Sequence, residues 1–174
     1  MIDTQKVALE ELKELAVEAS GQIDKIYLHW SAGHYGQFFD DYHINIDADG
    51  SVFVSTDDLT EYKPHTWRHN TGAIAVSLAC CAKATTNDLG NEPPTDLQIE
   101  SMAQVVATLC TSLDIPCDYD HVKTHAEQAD EDDYGPKTTC ERWDLWILAN
   151  GDEPGTGGDT IRGKAIFYQR QDCC

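Results

Sequence analysis

Two apolar runs constrain the fold of this chain more than any other feature. They are Lys25-Ile26-Tyr27-Leu28-His29-Trp30 and Ala73-Ile74-Ala75-Val76-Ser77-Leu78-Ala79. Neither alternates cleanly between polar and apolar residues, so each reads as a central strand rather than one with a wet face. Tyr42-His43-Ile44-Asn45-Ile46-Asp47 does alternate, and Asp49-Gly50 supplies a tight turn into Ser51-Val52-Phe53-Val54-Ser55. Residues 42–55 are therefore predicted to form a hairpin. A short extended segment is expected over 120–124.

Helical spacing places a helix over 4–20, where Val7, Leu12, Leu15, Ala16 and Ala19 form a stripe that Thr4 can cap and Gly21 can end. Thr95 can cap a long helix over 96–113, with Met102, Val105, Val106, Leu109 and Leu113 on its apolar face. A buried helix is expected over 143–149 and a terminal one over 159–170. Residues 83–95, 126–139 and 151–158 read as loops. Strands and helices interleave around a hairpin, which predicts an α/β single domain with a central mixed β-sheet flanked by α-helices. The expected organisation is an N-terminal helix, residues 1–22, packed on the main unit of residues 23–174.

The formal net charge of −19 argues against binding nucleic acid or anionic membranes. No apolar run reaches the 18 or so residues that a membrane-spanning helix needs. Met1-Ile2-Asp3-Thr4-Gln5-Lys6-Val7 lacks the basic start and apolar stretch of a signal peptide, so synthesis in the cytoplasm is expected. Seven cysteines are present, an odd number whose spacing matches no zinc finger. Cys110 falls on the apolar helix face as a small hydrophobe, whereas Cys173 and Cys174 sit on a polar tail.

Three residues suggest a site. His29 ends an apolar strand and is followed by Ser31-Ala32-Gly33, which puts an imidazole at the mouth of a sheet. His125 follows another short extended segment. Asp144 lies among Trp143, Leu145 and Trp146, where a carboxylate needs a charge partner. A His-His-Asp set suits a catalytic zinc ion, which takes three protein ligands and leaves a fourth position open. The plainer reading is that Asp144 caps the helix that follows it. Cys140 competes as third ligand.

Five segments, in order, resemble one family, the zinc-dependent N-acetylmuramoyl-L-alanine amidases of type 2. This family includes bacteriophage amidase endolysins and peptidoglycan recognition proteins. The segments are Ile26-Tyr27-Leu28-His29-Trp30-Ser31-Ala32-Gly33, Tyr42–Val52, Trp67-Arg68-His69-Asn70 running into the strand at 73–78, His125-Ala126-Glu127, and Arg142-Trp143-Asp144. The resemblance implies Zn²⁺ ligands at His29, His125 and Asp144, and a catalytic tyrosine at Tyr42. It also implies a positively charged residue at Arg142, where the family commonly has Lys; Arg can stabilise an oxyanion but cannot give up a proton at working pH. Glu127 is a candidate either to relay a proton or to orient a ligand. His69, Asn70 and His34 are candidates for contact with substrate, the alternative for His69 and Asn70 being a loop hydrogen-bond network. His43, His65 and His121 read as non-ligands.

The activity implied is hydrolysis of the amide between N-acetylmuramic acid and L-alanine in bacterial peptidoglycan or muropeptides. With no signal peptide expected, the expected role is that of a phage-type endolysin acting on the wall after release, the alternatives being an effector delivered to the wall and a cytoplasmic recycling amidase. Two alternatives stand beside it: a peptidoglycan-binding module without catalysis, and a cysteine-dependent wall hydrolase using Cys80 or Cys81.

Overall fold

A computed structural model describes residues 3–85, 88–134 and 143–171. Its six-stranded mixed sheet has the order β1-β4-β3-β5-β2-β6. The strands are β1 (Gln5–Val7), β2 (Lys25–Trp30), β3 (Ile44–Ile46), β4 (Val52–Val54), β5 (Ala73–Leu78) and β6 (Val122–Thr124). Four helices are assigned among the described residues: α1 (Leu9–Ala19), α2 (Asp96–Leu113), α3 (His125–Glu131) and α4 (Gly157–Gln171). None is long and apolar enough to cross a membrane.

The two apolar runs are central, as expected. β2 lies between β5 and β6 and runs parallel to both. β3 joins β5 in parallel and β4 in the antiparallel hairpin. Ile26, Leu28 and Trp30 of β2 belong to the main apolar core with residues of α1, α2 and α4. Tyr27 and His29 alternate to the opposite face. There Tyr27 donates its hydroxyl to Gln128 Oε1 of α3 at 3.0 Å and packs near the rings of His65 and His69. One sheet face thus holds the core, and the other carries polar side chains under α3 and the 56–72 loop.

α2 begins where predicted. Thr95 Oγ1 accepts from Gln98 N, and Gln98 Oε1 accepts from Thr95 N, both at 3.0 Å.

Three expectations are corrected. The first helix starts at Leu9 rather than Thr4, because Gln5–Val7 pairs with β4 as an edge strand. Its start is held by Glu11, whose carboxylate accepts from Ala8 N at 2.7 Å. The stretch 126–134, expected as exposed loop, begins as α3, with Ala126, Glu127, Gln128 and Ala129 buried. Beyond Trp143, which is helical, residues 144–149 form turns and bends rather than a helix, since Leu145 adopts a left-handed φ of 60° that interrupts helical bonding.

Candidate metal centre

The carboxyl ends of parallel strands are where open α/β sheets usually gather their chemistry, and this sheet does so at β2 and β6. His29 is the penultimate residue of β2. β6 ends at Thr124, and His125 is the first residue of α3. Thr124 caps that helix: its Oγ1 accepts from Glu127 N at 3.1 Å, while its N–H donates to Glu127 Oε2 at 2.8 Å. The Thr-x-x-Glu capping box fixes the turn on which His125 projects.

The turn at 143–146 brings in the third member. Asp144 Oδ2 lies 2.8 Å from His29 Nδ1 and 3.1 Å from His125 Nδ1. The backbone N–H of Trp30 donates to Asp144 Oδ1. The backbone carbonyl of Asp144 accepts from Ala126 N at 3.2 Å, tying the turn to α3. Asp144 therefore does not cap a following helix; its carboxylate is turned inward between two imidazoles.

One candidate ligand atom from each of the three residues can be chosen so that all lie within 4.8 Å of one another. Tetrahedral zinc with bonds of about 2.0–2.1 Å separates its ligand atoms by roughly 3.3 Å, close to the two distances to Asp144 Oδ2. The donor set also suits the ion: two neutral imidazoles and one carboxylate, the His₂-carboxylate combination of catalytic zinc. Burial pushes the His29 imidazole below its usual range, against the opposing pull of Asp144. Burial alone would raise the Asp144 carboxyl, but the two imidazoles and their hydrogen bonds hold it below the ordinary range. His29 is fully buried, whereas the side chain of His125 keeps 13% exposure, so the site opens on the His125 side.

The family model described as N-acetylmuramoyl-L-alanine amidase (Amidase_2) matches residues 19–143, most of the chain. The chain belongs to this family. Two solved structures resemble this amidase over part of their length. One is the N-acetylmuramoyl-L-alanine amidase LysC from Clostridium intestinale URNW, 16% identical, with 67% of this chain and 76% of that one covered at a TM-score of 0.45. The other is the endolysin N-acetylmuramoyl-L-alanine amidase LysCS from the same organism, 16% identical, with 67% and 74% covered at a TM-score of 0.46. No curated protein sequence matches significantly.

The remaining candidates of this amidase fall in different places. Tyr42 is half-buried and its ring lies 5.0 Å from that of His29. Glu127 is buried, and both carboxylate oxygens are engaged by Arg162 of α4 at 2.8 and 2.9 Å. Asn70 serves a loop network: its Oδ1 accepts from the N–H groups of His65 and Thr66 at 3.1 and 2.7 Å. His69 Nε2 pairs with Asp132 at 2.7 Å. His34 is well exposed and pairs with Glu92 at 2.5 Å. Arg142 and Cys140 lie outside the described residues.

His43 is committed to structure, since its Nδ1 accepts from Ala75 N at 3.0 Å while Nε2–H donates to the Glu61 carbonyl at 2.7 Å. Burial pushes His43 down to about 4.

Thr66 joins the site without having been a candidate on sequence. Its hydroxyl is buried 3.4 Å from His29 Nε2, the ring nitrogen left over once Nδ1 faces Asp144, and 2.9 Å from His65 Nδ1. Burial, followed by the fields of His29, His43 and His125, pushes His65 down to about 2, so a neutral ring walls the site. The one signal in the chain was a Pro-His-Thr run a few residues before a core strand, too short to name a role.

Proposed function

We propose that this chain hydrolyses the amide joining the lactyl group of N-acetylmuramic acid to L-alanine in bacterial peptidoglycan, using a zinc ion held by His29, His125 and Asp144. The observation that carries the proposal is the convergence of these three side chains at the carboxyl ends of β2 and β6, in a chain of this family. A zinc ion bound there supplies a Lewis acid for the amide carbonyl and lowers the pKa of water toward about 7.

The chain's own residues do the rest. With Nε2–H of His29 facing the Thr66 hydroxyl, the ring would be held in the tautomer whose Nδ1 is free to bind a cation. Asp144 is held in one rotamer by the Trp30 N–H. To Tyr42, half-buried with its ring beside that of His29, we assign the holding or passing of the proton that must reach the leaving amine. Arg142, which lies outside the described residues, is the candidate that the family resemblance supplies for stabilising charge on an oxyanion. Among the roles open to such an amidase, we favour that of a phage-type endolysin acting on the wall after release.

Cys80 and Cys81 do not favour a thiol mechanism. Both are wholly buried, and burial pushes the Cys80 thiol well up, the reverse of an activated nucleophile.

The test is mass analysis of digested peptidoglycan. Free stem peptides carrying a new L-alanine amino terminus are expected. Activity should be lost in EDTA, recover with Zn²⁺ and survive iodoacetamide. New reducing ends without peptide release would refute the amidase assignment.

A further inference from the structure

A second buried ionic cluster lies beside the metal trio, and it is built by a helix outside the span matched by the family. Arg162 of α4 meets Glu127 of α3 as a fork, Nη1 donating to Oε2 at 2.9 Å and Nη2 to Oε1 at 2.8 Å. Nη1 also donates to the Val122 carbonyl at 2.9 Å, and Nη2 to Asp159 Oδ1 at 2.7 Å. Glu127 Oε2 in turn accepts the Thr124 N–H at 2.8 Å. Arg162 and Glu127 are each only 6% exposed.

The fork therefore grips the chain on both sides of one joint. It holds the first residue of β6 by its carbonyl and the third residue of α3 by its carboxylate. Only Lys123, Thr124, His125 and Ala126 lie between them. Gly158 permits the approach, since a Cβ there would lie 2.3 Å from Glu127 Oε1 and 2.5 Å from Oε2.

Burying such a pair is a poor route to stability, because desolvation offsets most of the attraction. What a bidentate pair supplies is direction, and here the direction is imposed where β6 turns into α3 under His125. We propose that Arg162 is a positioning residue for the metal ligand His125, acting through Glu127 and the Val122 carbonyl. The C-terminal helix then sets the geometry of the site. This inference rests on the zinc reading above.

The experiment measures Zn²⁺ affinity by competition with a chromophoric chelator, alongside thermal unfolding in EDTA and hydrolysis rates. Four proteins are compared: wild type, Arg162→Lys, Glu127→Gln and Leu12→Ala. Leu12 is wholly buried in α1, on the opposite sheet face. Arg162→Lys keeps the charge but loses the fork, and is expected to bind zinc roughly ten-fold more weakly. Glu127→Gln is expected to lose roughly ten- to hundred-fold. Leu12→Ala should unfold at lower temperature with its zinc affinity unchanged.

Wild-type zinc affinity in both polar variants would overturn the inference, even if both were less stable. So would an equal loss of affinity in Leu12→Ala. A Glu127→Gln protein that binds zinc normally but turns over slowly would make Glu127 a proton carrier instead. If wild type itself bound no zinc, the metal reading would fall and take this inference with it.

Discussion

Gln98 offers a demanding test of how α2 is held to the sheet. Its side chain is fully buried at the first turn of that helix. Oε1 accepts from Thr95 N at 3.0 Å, and Nε2 donates to the carbonyls of Ile46 at 3.0 Å and Ala79 at 3.1 Å. One amide thus joins a helix start to the ends of β3 and β5. Gln98→Ala removes all three bonds, with unequal consequences. Ile46 O keeps a partner, because Ala79 N donates to it at 2.9 Å. Losing that second bond and the half-buried one from Thr95 N costs roughly 0.5–1.5 kcal/mol each, and stranding the Ala79 carbonyl roughly 1–3. The sum is about 4 kcal/mol, which in a chain of this size lowers Tm by about 8–16 °C.

The assay is urea unfolding followed by circular dichroism, with the midpoint falling and the slope unchanged. Gln98→Glu sharpens the test. It still accepts from Thr95 N, but at neutral pH turns a charged oxygen toward two carbonyls, so it should be the less stable of the two variants. The folded protein would hold that proton more tightly than the unfolded chain does, so the deficit should shrink as pH falls. A Gln98→Ala cost below about 0.5 kcal/mol, the scale of an ordinary surface substitution, would refute the reasoning. So would wild-type stability of Gln98→Glu at pH 7.

Zinc at about a hundred times its Kd should add about 2.7 kcal/mol and raise Tm by about 5–10 °C over the EDTA-treated protein, a difference that Asp144→Ala should abolish in scanning calorimetry. Thr66→Val, which deletes the hydroxyl facing His29 Nε2, should weaken zinc binding roughly ten-fold while Thr66→Ser retains it; chelator competition reads both. Tyr42→Phe should lower kcat by about a hundred-fold or more at unchanged zinc affinity, measured as release of stem peptide from purified wall. Cys140→Ser should remain active where Asp144→Ala is dead, and the reverse result would move the third ligand to Cys140.

The central strands, the hairpin and α2 were legible because local signals agreed with the tertiary answer: apolar runs, an Asp-Gly turn and a Thr cap. The His-His-Asp set was legible as three residues, but their meeting was visible only through the ordered family segments, since no local pattern links β2 to a turn 115 residues later. α3 was missed although Thr124-His125-Ala126-Glu127 is a capping-box signature, because acidic residues after it suggested a wet loop. Those residues do face water from Asp130 onward, while the four before them are buried. Arg162 could not be found from its neighbours, because its three acceptor groups are Asp159 one turn away and two partners on other elements. β1 was absorbed into the helix reading because three residues are too few to show a period of two.

The outermost strands of the sheet, β1 and β6, are three residues each. At β6, the Val122 carbonyl is also claimed by Arg162. A growing aggregate needs a long open edge on which a second chain can template itself, and among the described residues this sheet presents only two short stubs. The 19 net negative charges add repulsion between like molecules, so short edges and charge oppose edge-to-edge association together.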